Sequence, residues 1–426
     1  MEKLRNFAES EEALKPELVR LRSVFEKCTV FLFSSLSTFF KIICILKYSH
    51  ILRKGVYLAQ MLDTATLALE VTANTFINFL RKNFHVTEEA AYGYICAKRR
   101  NNAYGNTNSK IDKAVKNYIY KYKHYFSFVL KNMRILFSDK TGYIYFILSF
   151  HFNGFIPSDM RNSNNPYQLF NGTDEHIDTF RRNFFYLVFP LFLDCCSKDE
   201  LEFYTEFNNA RLWRIDYSFN FQVPEALVPL YLHQFNGSVI EKNRLKKTTK
   251  FKHNSVHLHN KSISVVIYDK YAEVINNNRP SPDSARGMLR YEVRLRKAKT
   301  ITTLKDKYKL NNTDLLKRDF AINMLLKYWD LLLPVGDFYK GTHANKKIRD
   351  ELSPRQANKL INFLKAIQDK HSVNTARKAN TCTVKTFDSN LDTLNTMDIA
   401  PYLIPIHKCR DYGVSTLINP YKQMIA

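Results

Sequence analysis

Three stretches between Leu212 and Lys297 alternate apolar and polar side chains with period two, the pattern of half-buried strands. They span 212–221, 262–270 and 288–296. In the first, Ile215, Tyr217, Phe219 and Phe221 share one face and Arg214, Asp216, Ser218 and Asn220 the other. In the second, Ile263, Val265 and Ile267 oppose Ser264, Val266, Tyr268 and Lys270; in the third, Leu289, Tyr291, Val293 and Leu295 oppose Arg290, Glu292, Arg294 and Arg296. If the strands pair with their apolar faces down, the exposed face carries Asp216, Glu292, Tyr268 and Lys270 together. A further strand is expected at 143–152, and the residues from Asn254 to Ser264 read as a hairpin turning at Asn260-Lys261.

Elsewhere the apolar spacing is helical. Leu14, Leu18, Leu21 and Phe25 predict a helix over 12–27, and Leu58, Met61, Leu62, Leu67 and Leu69 extend a helical pattern over 56–99. The run from Cys28 to Leu46 is apolar enough to raise a membrane span, against a buried helix or a pair of strands. Lysine and tyrosine interleave on a helix over 110–125, a surface that suits a nucleic-acid strand or a solvated helix with its tyrosines tucked inward. A core helix is expected from Phe184 to about Asp194, and helices again over 313–333, 353–370 and, as a short pair, 374–396. That pair has the layout of a helix-turn-helix, with Lys385 on the expected recognition helix beside Asp388 and Asp392. The expected fold is α+β: an antiparallel catalytic sheet with packed helices, a helical N-terminal extension over 1–135, a sheet domain over 136–300 and a helical region over 301–426.

Composition narrows the function. The 426 residues include 64 Lys and Arg against 40 Asp and Glu, a formal charge of +24, which points to a polyanionic partner, nucleic acid before an anionic membrane. Hydrophobic residues make up 45% and aromatic residues 14%, too much for a disordered chain. The seven cysteines are scattered, odd in number and without a Cys-x-x-Cys pair, which is the pattern of neither a disulfide framework nor a zinc site and fits a reducing cytosol. The first dozen residues are too acidic and polar for a signal peptide, so a cytoplasmic location is expected.

Four groups could carry chemistry. A tyrosine hydroxyl such as Tyr268 can attack phosphorus when a neighbouring cation, here Lys270, favours its phenolate; Tyr271 is the rival or second nucleophile. Asp216 and Glu292 are hard carboxylates suited to Mg²⁺ or Mn²⁺, or else partners of Arg214, Arg290 and Arg294 in a salt-bridge ladder. Those arginines are also candidates for DNA contacts. The segment from Asn243 to Lys252, with Arg244, Lys246, Lys247 and Lys250 and no acid, reads as a mobile basic loop that holds phosphates, or as a solvated charge run. His257 and His259 flank Leu258 in the spacing of a metal-binding strand.

The series Arg214-Ile-Asp216, Ile267-Tyr-Asp-Lys270-Tyr-Ala-Glu273 and Leu289-Arg-Tyr-Glu292-Val-Arg-Leu resembles the gene II/X family of filamentous-phage replication initiators, and is similar to initiators of small rolling-circle plasmids. The upstream piece 165–174 and the C-terminal 384–399 look like further parts of that family, so the resemblance covers roughly 140–400. It implies an endonuclease and strand transferase that nicks an origin through Tyr268 and stays on the 5′ phosphate. It also implies assistance from Lys270, Glu273 as a trailing acid that orients the lysine, and metal ligation by Asp216 and Glu292. Partners implied are origin DNA, single- and double-stranded, and the host replication helicase and polymerase. A non-catalytic helix-turn-helix regulator is the second reading, and a protein anchored by residues 28–46 the third.

Overall fold

The backbone from Leu62 to Val71 extends as a strand, β1, where helical spacing had been expected. Leu67, Leu69 and Val71 alternate with Ala68 and Glu70, so the apolar positions satisfy both periods. What decides is pairing: β1 runs antiparallel to β3 (Ile144–His151) on one side and β4 (Arg211–Gln222) on the other, which places its amide groups in ladders on both edges. The computed structural model describes residues 61–100, 110–138, 141–156, 167–242, 244–248, 255–279, 282–379 and 382–425. The expected helix over 12–27 and the apolar run 28–46 lie outside the described residues, as do Lys250 and Lys252.

With β2 (Leu130–Phe137), β5 (Lys246–Lys247), β6 (Ser255–His259), β7 (Ile263–Asp269) and β8 (Met288–Leu295), these strands form one antiparallel sheet in the order β2-β3-β1-β4-β8-β7-β6-β5. The protein is thus α+β. The sheet draws strands from both sides of residue 135, and the 135/136 division expected from sequence falls inside β2. Ladders continue across the sheet, so residues stand in rows. One row reads Tyr268–Arg290–Asn220, the next His257–Val266–Glu292–Ser218, and the third His259–Ser264–Arg294–Asp216–Thr64–His151. The hairpin β6–β7 turns where expected: Asn260 Oδ1 accepts from the amides of Ser262 and Ile263, both at 2.8 Å.

Two β-bulges interrupt the β1–β4 ladder. Leu62 pairs with Tyr217 and Thr64 with Asp216, leaving Asp63 as the extra residue; Thr66 pairs with Arg214 and Leu67 with Leu212, leaving Trp213. A bulge re-aims the side chain it inserts. Both inserted residues bear on the polar face of the sheet.

The other face carries the main core. Ile215, Tyr217, Phe221, Tyr291, Val293 and Leu295 are buried there. Helix α1 (Ala73–Phe84) follows β1 and is capped by Thr72, whose side chain accepts from Thr75 N at 3.1 Å. Helices α2 (Glu88–Arg100) and α3 (Lys110–Tyr125) come next, then α4 (Asp174–Phe192), which starts earlier than the apolar run alone suggested, at a Thr173 cap with Asp174 and Glu175 in its first turn. In α3 the tyrosines divide: Tyr118 and Tyr122 pack inward while Tyr120 and Tyr125 are exposed. Helices α5 (Lys198–Thr205), α6 (Val228–Ser238), α7 (Lys270–Asn276), α8 (Ala298–Tyr308) and α9 (Arg318–Leu332) complete this part. Trp329 of α9 is fully buried, with its ring centroid 5.0 Å from Tyr291 and 5.4 Å from Phe221. The buried hydroxyls of Tyr217 and Tyr291 donate to the carbonyls of Leu315 and Leu325, which anchors the helices to β4 and β8.

A second core joins α10 (Gly341–Glu351), α11 (Pro354–Asp369), α12 (Val373–Lys378) and α13 (Val384–Thr396) through Ile348, Leu360, Leu364, Val373, Phe387 and Leu394. Here α12 and α13 are the expected helix pair, each with a hydroxyl cap: Ser372 accepts from Thr375 N and Thr383 from Thr386 N. Among the described residues no helix is long and apolar enough to cross a membrane.

Candidate active site

The polar face was expected to be exposed; it is largely closed. Asp216, Glu292, Lys270 and Arg290 are each 1–3% exposed. Ions so dehydrated need partners, and each has one. Arg214 holds both oxygens of Asp216, its Nε at 2.8 Å from Oδ1. Arg294 donates to Glu292 Oε2 from Nε at 2.7 Å and also through its terminal nitrogen, and its Nε lies 3.9 Å from Asp216 Oδ2. The ladder Arg214–Asp216–Arg294–Glu292 therefore crosses from β4 to β8. It reaches Tyr268, whose hydroxyl donates to Glu292 Oε1 at 2.7 Å.

Arg290 stands one row further along the same face of β8. Its Nε donates to Asn220 Oδ1 at 2.8 Å and its terminal nitrogens reach Tyr167 O at 3.0 Å and Asp63 Oδ1 at 3.4 Å. It is a structural clamp for the segment that covers this end of the face, where a DNA contact had been expected of it. Asp63 also accepts from Thr64 Oγ1, which lies 3.3 Å from His151 Nδ1. Neither Asp63 nor His151 was singled out from sequence.

Lys270 does not continue the strand. Asp269 ends β7 and caps α7, its side chain accepting from Ala272 N at 3.2 Å, so Lys270 is the first helical residue. Its ammonium nevertheless stays by the tyrosine, 5.9 Å from the Tyr268 ring centroid and 5.2 Å from that of Tyr167. Glu273, one turn on, accepts from Lys270 at 2.7 Å and from Arg279 at 2.9 Å, the orienting position expected of it. Tyr271 is elsewhere: it packs on Val274, Ala285 and Met288 under the Arg286 guanidinium, 4.6 Å from its ring centroid.

Electrostatics follow from burial. Dehydration raises Asp216 to about 6 even with Arg214 and Arg294 beside it. Burial, then the Glu292 charge, push the Tyr268 phenol well above its ordinary value, so it rests as the neutral phenol. Burial and then Arg290 bring Lys270 down to about 8, against the pull of Glu273. Burial alone would raise Asp63, but Arg290, His151 and Lys270 outweigh it and bring it to about 2.

Asp216 and Glu292 are hard oxygen donors on adjacent strands and the same face, which suits Mg²⁺ or Mn²⁺ in donor type and placement. Arg214 and Arg294 supply the countercharge that such an ion would, and Arg294 competes for the same oxygens. Among the described residues no group of three or more His, Cys, Asp or Glu converges as a metal site. The His257 and His259 rings on β6 lie 5.2 Å apart, tilted by 38°, but His257 Nε2 pairs with Ser264 Oγ at 2.7 Å, and burial followed by His259 and Arg294 lowers it to about 4.

The basic segment is not a free loop where it is described. Lys246 and Lys247 form β5 against His259 and Leu258, and Lys247 Nζ donates to Asn236 O at 2.8 Å. Arg244 and Lys246 remain exposed, as does Lys385 on α13, where Arg377 neutralises Asp388 at 3.0 Å. No family model matches the chain, and no curated protein matches its sequence.

Proposed function

We propose that this chain nicks and rejoins a DNA strand through Tyr268, as a rolling-circle replication initiator does. The observation that carries the reading is the 2.7 Å bond from the Tyr268 hydroxyl to Glu292, with Arg294 fixing the carboxylate from behind. A nucleophile, its base and an orienting group in line are the parts that phosphoryl attack needs. The motif resemblance to phage and plasmid initiators supports the same chemistry, and the charge of +24 suits the substrate.

In the forward step the Tyr268 oxygen bonds to phosphorus while Glu292 takes the phenolic proton. The bond from phosphorus to the 3′ oxygen breaks, and Lys270 gives that oxygen a proton, leaving a 3′ hydroxyl and a 5′ phosphotyrosine. Arg294 and Lys270 offset the negative charge that gathers on the phosphoryl oxygens. Rejoining is the reverse: a 3′ hydroxyl gives its proton to neutral Lys270 as it attacks the phosphotyrosine, the bond from phosphorus to the Tyr268 oxygen breaks, and Glu292 returns the proton to the phenol. A divalent ion held by Asp216 and Glu292 would polarise the scissile phosphate. Origin DNA and the host helicase and polymerase are the partners this role requires, and the cytoplasm its place.

Incubation with Mg²⁺ or Mn²⁺ and supercoiled DNA of the element that encodes the chain tests the reading. The expected product is an SDS-resistant protein–DNA adduct that Tyr268→Phe abolishes and Tyr271→Phe keeps. The folding of α12 and α13 with capped ends favours a second reading, a non-catalytic DNA-binding regulator. Specific duplex binding without any nick or adduct would select it.

A further inference from the structure

The polar face continues past Arg214 into an open groove of about 920 Å³ at the end of β2, β3, β1 and β4. Arg134, Arg211, Arg214, Arg296, Lys297 and Lys299 line it, and none of its described lining residues is acidic. Arg211 pairs with Glu70 and Arg214 with Asp216. The other four cations have no ion-pair partner among the described residues. All four are exposed, Arg134 on β2 and the other three just beyond β8, so an anion lying along the groove would meet them without first displacing a carboxylate.

The groove also receives the start of α8. That helix has no side-chain cap at Lys297 and no acid in its first turn, and it places Lys297 and Lys299 where the helix dipole disfavours positive charge. An anion at this end would satisfy the open amides and the lysines together. The floor is aromatic. The bulge in β4 turns Trp213 away from the core parity of Ile215 and Tyr217 and onto this face, with its ring centroid 6.0 Å from that of Tyr145. Ala68, Ile147 and Leu136 support the pair from below.

We infer that this groove seats a single nucleic-acid strand on the same face of the sheet as Tyr268, with its phosphates on Arg134, Arg296, Lys297 and Lys299 and a base against Trp213. The inference rests on the nicking reading for its substrate class. Cations that follow a backbone, together with one flat ring, are what sequence-tolerant strand binding uses. Arg214 links the two places, lining the groove and gripping Asp216. Asn220, which stands in the Tyr268 row, is six positions further along β4, a span of about 20 Å.

The chain has two tryptophans, and the other, Trp329, is fully buried, so intrinsic fluorescence reports on the groove. The full chain carrying Tyr268→Phe, which removes cleavage, is titrated with oligothymidylate at low salt while anisotropy of a labelled copy gives affinity. The expected result is saturable quenching that Trp213→Phe abolishes, with affinity about 5- to 150-fold weaker. The paired change Arg134→Glu with Lys299→Glu should weaken binding at least about tenfold and flatten its salt dependence. The Trp329 emission retained in Trp213→Phe verifies folding. Quenching that persists without Trp213, affinity indifferent to all three changes, no binding at low salt, or a preference for duplex would each overturn the inference. Groove binding by a wild type that forms no adduct would remove the nicking reading and leave the groove. An adduct with no groove dependence would do the reverse.

Discussion

Tyr268 donates its hydroxyl to Glu292 across the β7–β8 pair, one ladder row along, and the same carboxylate receives Arg294 on its second oxygen. The phenol is neutral at rest, so its proton must leave as the oxygen attacks. Glu292→Gln keeps the shape and removes the base. Adduct formation should fall by about 10²–10⁴-fold with DNA affinity little changed. A variant that forms adduct at the wild-type rate would rule Glu292 out as the base.

Lys270 titrates near 8, and the leaving 3′ oxygen needs its proton. The protonated form exists below that value, so single-turnover nicking should fall as pH rises through about 8. Arginine stays protonated well beyond that. In Lys270→Arg the descending limb should therefore move upward, whatever the absolute rate. A wild-type profile flat from about pH 7 to 10 would contradict a role for this proton.

Asp63 bears on stability. Its carboxyl is depressed to about 2 in the fold, from 3.8, so the stabilisation is complete above the unfolded value and is lost as pH falls through the folded one. The shift corresponds to about 2 kcal/mol. Urea unfolding should find Asp63→Asn weaker by about that amount at pH 7, with the gap closing between about pH 4 and pH 2. A gap that is constant with pH would mean that the loss is packing and not charge.

Metal dependence separates the two uses of the carboxylates. Chelation should stop nicking and Mg²⁺ or Mn²⁺ should restore it, and Asp216→Asn should raise the ion concentration needed by about tenfold or more. Activity undiminished in chelator would leave Asp216 as the partner of Arg214 alone.

On α13, Lys385 is exposed and Arg377 occupies Asp388, which lessens the repulsion that the acidic helix would offer phosphates. Lys385→Ala should reduce the salt slope of duplex binding by about 1 and leave oligothymidylate binding untouched. An unchanged slope would take this helix out of the duplex interface.

The faces of β4, β7 and β8 were legible in the sequence because strict alternation separates two chemistries, aromatic and aliphatic on one side, charged and hydroxyl on the other. Tyr268, Glu292 and Asp216 followed from that alone. Asp63 and Trp213 did not, since both sit at bulges, and a bulge shifts parity by one residue with no local signal in the side chains. The spacing of Leu62, Leu67 and Leu69 fits a helix or a strand, so β1 was settled only by its two neighbours in the sheet. Lys270 kept its place near Tyr268 for a reason alternation could not supply, the Asp269 cap that starts a helix there. That the polar face is closed also escaped the pattern, because burial by arginine partners leaves a polar sequence polar.

The position of β1 has a consequence for how the chain assembles. It is the first described strand, yet it lies between β3 and β4, and β4 begins about 140 residues after it. During synthesis β1, β2 and β3 can form a three-stranded unit early, with the β4 edge of β1 left open until Arg211–Gln222 emerges. Contacts so distant in sequence close slowly, and an unpaired edge meanwhile invites another chain. Asp63 and the bulge around it sit on that waiting edge, so the residue that charges the finished site also interrupts the ladder a stray strand would need.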